Sequence, residues 1–238
     1  NDIWFQGLLH WDGQTFTLHK ENFPLLPNGD GWRMHGTWGT SGSDFYVVGD
    51  QGMIAHYDGS SWTKIESATD VSIQDIFGVY NVERGDYEIL AVASVPFKSY
   101  EIALLSIKDN IATNLQAGIT QAFLSSVWFS ANGPYFLSGN GIYHKKSAVS
   151  GRKWQRYPNG KVTSYYTHEI RGTAYNNIFA CGAFGEIVHF NGADWYNYLS
   201  EMRSFGRYIA LDVSEKKVVI GGEGANNAGI LLLGTPRN

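Results

Sequence analysis

The sequence predicts an all-β fold, and three observations support this prediction. Short runs rich in β-branched and aromatic residues alternate with clusters of Gly, Asn, Asp and Ser, a pattern typical of strands joined by tight turns. No segment shows a sustained period of 3.6 residues, so we expect almost no helix. The chain also repeats its own pattern at a spacing of about 43 residues, which indicates a repeat architecture.

The repeat is clearest between residues 37–65 and 170–198, which match without a gap at an offset of 133. Eight positions are identical in this register, and their neighbours are conservatively replaced. The identical pairs are Gly39 and Gly172, Thr40 and Thr173, Gly49 and Gly182, Gly52 and Gly185, Ile54 and Ile187, His56 and His189, Gly59 and Gly192, and Trp62 and Trp195. Weaker copies occupy the rest of the chain.

Each copy is expected to contain four short strands. In the clearest copy they cover roughly 32–39, 44–49, 53–58 and 61–66. The second and third strands are joined by Asp50-Gln51-Gly52, and the last two by Asp58-Gly59-Ser60. Gly and Asp suit such turns because they accept the positive φ that hairpins require.

A four-stranded sheet of this size cannot bury both faces alone, whereas copies arranged radially cover one another. We therefore predict a single β-propeller domain of four-stranded antiparallel blades over residues 1–238. The first copy begins at its second strand and the last ends after its third, so we expect six blades with N-terminal strands missing from the chain as given. A five-bladed ring is the alternative. The predicted repeats are approximately 1–27, 32–67, 71–118, 121–160, 164–200 and 203–238.

Composition excludes several classes of function. The net charge is −4 and no run of Lys or Arg exceeds two, so we expect no nucleic-acid partner. No apolar stretch approaches the ~20 residues that a membrane-spanning helix needs. The single cysteine, Cys181, excludes an internal disulfide and a zinc site of the CxxC type. We expect no cofactor and no metal, and a monomer.

The segment from Gly49 to Trp62, repeated from Gly182 to Trp195 and shortened from Leu8 to Phe16, carries a family resemblance. It resembles the repeats of bacterial secreted β-propellers of the BNR-like and two-component-regulator-propeller type. The resemblance implies a propeller fold and an exported protein that is extracellular, periplasmic or lipid-anchored at the cell surface. No signal is visible in this chain.

Polar residues recur near the start of the innermost strand of each copy, where a blade opens beside the loops that join its second and third strands. Those loops contain Asp50-Gln51, Asn140, Ala183-Phe184 and Glu223 to Asn227. Polar groups that converge on a concavity are the default hypothesis for a binding site. The predicted binding residues are His35, Gln74, Asp75, Ser125, His168, Glu169 and Arg207.

A second histidine column, in the third strand of four copies, is interpreted as structural. Equivalent positions on the third strands of different blades radiate away from the axis, whereas ligands of one zinc must each lie within ~2.1 Å of it. We expect these imidazoles to bond to neighbouring turns. The column consists of His10, His56, His144 and His189.

The favoured function is that of an exported, non-enzymatic propeller that binds a glycan or a protein at the channel-mouth face. One alternative is a glycoside hydrolase or lyase in the same pocket, with Asp75 and Glu169 as acid and base. Another is a scaffold for protein assembly. Insertions at Lys20–Gly31, Asn81–Asp86 and Lys145–Lys153 are further places where function could lie.

Overall fold

The structure is a computed structural model. It describes residues 3–5, 8–95, 101–115, 118–119, 123–146, 153–158, 160–201 and 206–235. The described residues form 22 β-strands and one short 3₁₀ turn at Asp50–Gly52. The all-β class is therefore confirmed. Among the described residues, no helix is long and apolar enough to cross a membrane.

The strands form antiparallel sheets in which each strand pairs with its neighbour in the sequence. A small first sheet contains β1 (Ile3–Phe5), β2 (Leu9–Trp11) and β3 (Phe16–Leu18). Blade 1 contains β4 (Met34–Ser41), β5 (Asp44–Gly49), β6 (Ile54–Tyr57) and β7 (Trp62–Ile65). Blade 2 contains β8 (Ile73–Asn81), β9 (Asp86–Ser94), β10 (Ile102–Lys108) and β11 (Ile111–Asn114).

The later blades follow the same order. Blade 3 contains β12 (Leu124–Phe129), β13 (Tyr135–Gly139), β14 (Gly141–Lys145) and β15 (Gln155–Arg156). Blade 4 contains β16 (Thr167–Ala174), β17 (Asn177–Gly182), β18 (Ile187–Phe190) and β19 (Trp195–Asn197). Blade 5 has three strands, β20 (Arg207–Val213), β21 (Val218–Glu223) and β22 (Gly229–Gly234).

The fold is a β-propeller with five blades, so the six-bladed prediction is wrong and the alternative holds. The first repeat accounts for the difference. Its strands β1, β2 and β3 have only three residues each, and the side chains of Phe16 and Leu18 are exposed. Because the side chains of β2 and β3 bury so little apolar surface, the sheet does not match the blades in size or packing.

Two compact units make up the chain, residues 1–117 and 118–238. In the first unit, two apolar clusters form the core. One joins blade 1 to blade 2 through Val48, Ile54, Ile76 and Leu105, and the other packs Trp32 and further aromatic residues against blade 1. The predicted single domain over the whole chain remains a prediction.

In the second unit, one apolar cluster joins blade 4 to blade 5 through Cys181, Tyr208 and Leu211. The same unit buries Trp128 of blade 3, whose indole N–H donates to the carbonyl of Gly172 in blade 4 at 2.9 Å. Burial raises the pKa of the Cys181 thiol, which is consistent with a core residue rather than a reactive one.

The turn between the second and third strands has the same backbone in blades 1 and 4. Gln51 and Phe184 both have positive φ, 53° and 58°, and each is followed by a glycine with positive φ. The glycine of blade 1 is required sterically, because a Cβ on Gly52 would lie 1.8 Å from the carbonyl oxygen of Thr69. This repeated turn sets the position of the residues at the same end of blades 1 and 4, which we call the rim of each blade.

Candidate functional site

In the first unit, the predicted residue His35 belongs to a cluster centred on Asp50. The His35 imidazole nitrogen Nε2 lies 3.2 Å from Asp50 Oδ1, and Arg33 Nε donates to Asp50 Oδ2 at 2.9 Å. Burial acts to raise the pKa of Asp50, but the hydrogen bonds from Arg33 and the nearby His35 and Arg33 charges outweigh it and lower the pKa. Asp50 is therefore a carboxylate that fixes the rim of blade 1.

Gln74 and Asp75 lie at the start of β8 but are engaged in the backbone. The Gln74 amide donates to the carbonyls of Ser72 and Ser94, at 3.2 and 2.8 Å. Asp75 is buried, and its Oδ1 accepts a hydrogen bond from the Ile76 amide at 2.9 Å. Both side chains therefore stabilise the backbone at the start of the strand.

In the second unit, Ser125 and Glu169 likewise act within the scaffold. The buried Ser125 hydroxyl donates to the Thr167 carbonyl at 2.6 Å. Glu169 Oε1 lies 2.8 Å from an Arg171 guanidinium nitrogen, and Glu169 Oε2 accepts the Leu211 amide at 2.6 Å. These bonds tie the innermost strands of blades 3, 4 and 5 to one another.

His168 and Arg207 are brought together at the rim. The His168 ring packs edge-on against Tyr166, with ring centroids 4.6 Å apart. Burial lowers the pKa of His168, and the positive charge of Arg207 lowers it further. Arg207 is paired with Glu223 at 2.9 Å, and its backbone forms a β-bridge with Ala183.

Two aromatic residues beside this pair were not among the predicted site residues. The rings of Tyr165 and Phe184 lie 4.6 Å apart, and both side chains are exposed, 41% and 55%. Ala183 connects them to the predicted residues, because its amide donates to the Tyr166 carbonyl at 2.8 Å. We call Tyr165, His168, Phe184 and Arg207 the aromatic rim.

Phe184 occupies a backbone conformation that a bulky side chain rarely adopts. In the same turn of blade 1 the position holds Gln51, and Gly or Asn is the usual choice for a left-handed residue. An exposed phenylalanine here gains little burial in return for its strain, and such strain is often stored at functional sites. The repeat alignment contains this signal, because the offset of 133 places Phe184 on Gln51.

The structural role of the histidine column is confirmed in two blades. His56 Nε2 lies 2.7 Å from Asp44 Oδ1, and His189 Nε2 lies 3.2 Å from Asn177 Oδ1. Each imidazole also stacks on the aromatic residue opposite it in the second strand of its blade, Tyr46 and Phe179, at 4.4 and 4.1 Å. We call this arrangement the histidine latch.

Comparisons with known proteins place the fold but not the function. No family model and no curated protein matches the sequence. Among solved structures, the chain is similar to YCF48 bound to D1 peptide, with 18% identity and a TM-score of 0.61 over 95% of this chain and 71% of that one. It is also similar to YCF48 from Cyanidioschyzon merolae, with 12% identity and a TM-score of 0.63 over 94% and 75%.

A third similar structure is a candidate gluconolactonase, with 12% identity and a TM-score of 0.59 over 95% of this chain and 80% of that one. All three identities are too low to show more than a shared fold. The comparisons therefore support the β-propeller architecture, and they leave the BNR-like family and a bacterial origin as predictions.

Proposed function

We propose that this chain is an exported, non-enzymatic propeller that binds a peptide segment of a partner protein at the aromatic rim. The observation that carries the proposal is the exposed, strained Phe184 in contact with Tyr165. Aromatic anchors of this kind dominate binding energy at protein interfaces. The exposed Arg207–Glu223 pair beside them supplies a cation that a carboxylate of the partner can reach.

The peptide-bound YCF48 structure supports a protein partner, because it shows a propeller of similar fold holding a peptide. The hydrolase alternative is disfavoured by the contacts of Glu169, its proposed base. Both carboxylate oxygens of Glu169 are engaged, one by Arg171 and the other by the Leu211 amide. A general base must accept a proton from the reacting group, which the ion pair with Arg171 opposes. The predicted export rests on the family resemblance of the repeats.

The test is selection of a random peptide library on the immobilised full chain, followed by affinity measurement with a synthetic copy of the enriched peptide. We expect Phe184→Asn and Tyr165→Ser each to weaken binding by about tenfold or more, because each removes half of the aromatic anchor. Asn accepts the left-handed backbone, so the first variant keeps the turn.

The matched control is Val82→Ser, which removes an apolar side chain that is 82% exposed in the β8–β9 turn. It should leave the affinity unchanged. Failure to enrich any peptide, or equal losses in the control and the rim variants, would contradict the proposal. A glycan array probed with the same proteins separates the other candidate ligand, since rim-dependent glycan binding without peptide binding would also overturn it.

A further inference from the structure

Blade 3 carries a cleft that lies away from the aromatic rim. Its volume is about 490 Å³, within the range of small-molecule sites. It is formed by the β12–β13 loop, the end of β14, the start of β15 and the β16–β17 turn. Its lining includes Pro134, His144, Lys145, Lys146, Lys153 and Tyr157.

At this cleft, blade 3 lacks the histidine latch that blades 1 and 4 have. Pro134 occupies the position of Asp44 in blade 1 and Asn177 in blade 4, as the strand registers show. Proline cannot replace the acceptor those residues provide. Among the described residues, none hydrogen-bonds to the His144 imidazole, which instead stacks on Tyr157 at 4.6 Å.

The two positions that follow the latch histidine are basic in blade 3 and not in blades 1 and 4. After the latch histidine, blade 1 has Tyr57-Asp58 and blade 4 has Phe190-Asn191, whereas blade 3 has Lys145-Lys146. The aromatic residues are buried against the blade's tryptophan, with ring centroids about 5 Å apart. Lys145 is also buried, and its ammonium lies 5.7 Å from the centroid of the Trp154 ring.

These replacements concentrate positive charge at one place on an acidic protein. Lys145, Lys146 and Lys153 all line the cleft, and none of the described residues that line it is acidic. Blades 1 and 4 hold a buried aromatic residue where blade 3 has Lys145, so the replacement brings an ammonium group to the edge of the cleft.

The remaining lining residues indicate what shape of anion fits. Tyr175, which is 47% exposed, offers a ring face, whereas the Tyr157 ring is stacked on His144. Asn132 and Gln155 offer amides that can donate to and accept from hydroxyl groups. The cleft is also much larger than a single inorganic anion requires. Cations, amides and an aromatic face together match a pyranose ring that carries a carboxylate.

We propose that the blade 3 cleft is a binding site for an acidic sugar unit, with Lys146 and Lys153 pairing its carboxylate and the exposed face of Tyr175 holding its ring. This site is independent of the aromatic rim, and neither proposal requires the other. The insertion noted at Lys145–Lys153 borders the cleft, and its residues 147–152 lie outside the described part of the chain.

The test is isothermal titration calorimetry of the full chain with D-glucuronate, D-glucose and sulfate at one fixed ionic strength. We expect glucuronate to bind about tenfold or more tightly than glucose, which lacks the carboxylate, and than sulfate, which lacks the ring. Lys146→Ala with Lys153→Ala should weaken glucuronate binding about tenfold or more. Both side chains are exposed, so folding should be retained.

The matched control is Lys216→Ala with Lys217→Ala, an exposed lysine pair in the β20–β21 turn of the same unit. It changes the net charge equally and should leave glucuronate binding within about twofold. A second variant, Lys145→Tyr, restores the residue type of blade 1, so it should fold but should no longer bind glucuronate. No glucuronate binding, equal binding of sulfate, or equal losses in the two lysine pairs would overturn the proposal.

Discussion

Replacing Glu186 tests how the fold holds the aromatic rim in place. This side chain is only 2% exposed and stands where blade 1 has Met53. Its Oε1 accepts the Ser164 amide at 2.9 Å and the Asn197 side-chain amide at 3.1 Å, and its Oε2 accepts the Tyr165 amide at a weak 3.4 Å. The buried carboxylate thus fixes the segment that carries Tyr165.

Two variants separate the hydrogen bonds of Glu186 from its charge. Glu186→Ala leaves two well-made donors unsatisfied, at ~1–3 kcal/mol each, partly offset by removal of a poorly hydrated charge. We expect a loss of about 3 kcal/mol, equivalent to a drop of about 6–12 °C in Tm for a chain of this size. Glu186→Gln keeps an oxygen acceptor at the Oε1 position and should cost less than about 1 kcal/mol.

The assay is urea unfolding followed by tryptophan fluorescence, with peptide affinity measured on the same proteins. The alanine variant should also bind rim ligands more weakly, since Tyr165 loses its anchor, whereas the glutamine variant should bind normally. Equal destabilisation by both variants would refute the reasoning, because the charge and not the hydrogen bonds would then carry the effect. So would a loss below about 1 kcal/mol for the alanine variant.

Three further predictions concern the turns and the half-buried histidines. Phe184→Gly should raise the free energy of unfolding by up to about 1 kcal/mol in urea titrations, because the left-handed strain is relieved; destabilisation would show that the ring is packed and not strained. Asp50→Asn should lower stability at pH 7 only slightly through loss of the charge-assisted bond to Arg33, because the Arg33 side chain is 84% exposed, and a double-mutant cycle with Arg33→Ala should show the two effects to be coupled. Stability should fall as the pH drops below about 6.5, because the unfolded chain then binds protons that three half-buried imidazoles do not bind in the folded state. Unfolding measured in the Glu186→Gln background, which removes the opposing titration of Glu186, should show this slope, and a flat profile would contradict it. Burial lowers the pKa of each of these imidazoles, His144, His168 and His189.

The titration of Glu186 acts on stability in the direction opposite to that of the histidines. Burial raises the pKa of Glu186 above its ordinary value, despite the hydrogen bonds that favour the carboxylate. The folded state therefore holds that proton more tightly than the unfolded state, and stability falls as the pH rises through the range between the two pKa values. Glu186→Gln should remove this fall, which unfolding curves between pH 4 and pH 6.5 would detect.

Some parts of this molecule follow directly from residue pattern. The strands of blades 1 and 4 could be predicted because Gly, His and Trp recur at fixed spacing, and the latch of His56 and His189 follows from its place beside a turn. The number of blades could not, because the pattern from Leu8 to Phe16 matches a blade while its three-residue strands bury too little surface. Matching residue types does not reveal how much area is covered.

The candidate site shows the same limit. Polarity alone grouped Ser125 and Glu169 with His168 and Arg207, yet only the latter two lie at the rim. Whether a polar side chain meets a neighbouring backbone group or solvent depends on contacts between strands far apart in the sequence. The missed residue, Phe184, was detectable only as a conflict between side-chain size and a turn that favours glycine.

No single histidine latch is essential to the architecture. Blades 1 and 4 have the latch, whereas blade 3 has a cleft in its place and is still a four-stranded sheet. The same exchange should be transferable: placing the proline and the two lysines of blade 3 at the equivalent positions of blade 4 should create a second cleft there. A protein built from similar blades can therefore gain a binding site in one blade while the other blades keep the fold.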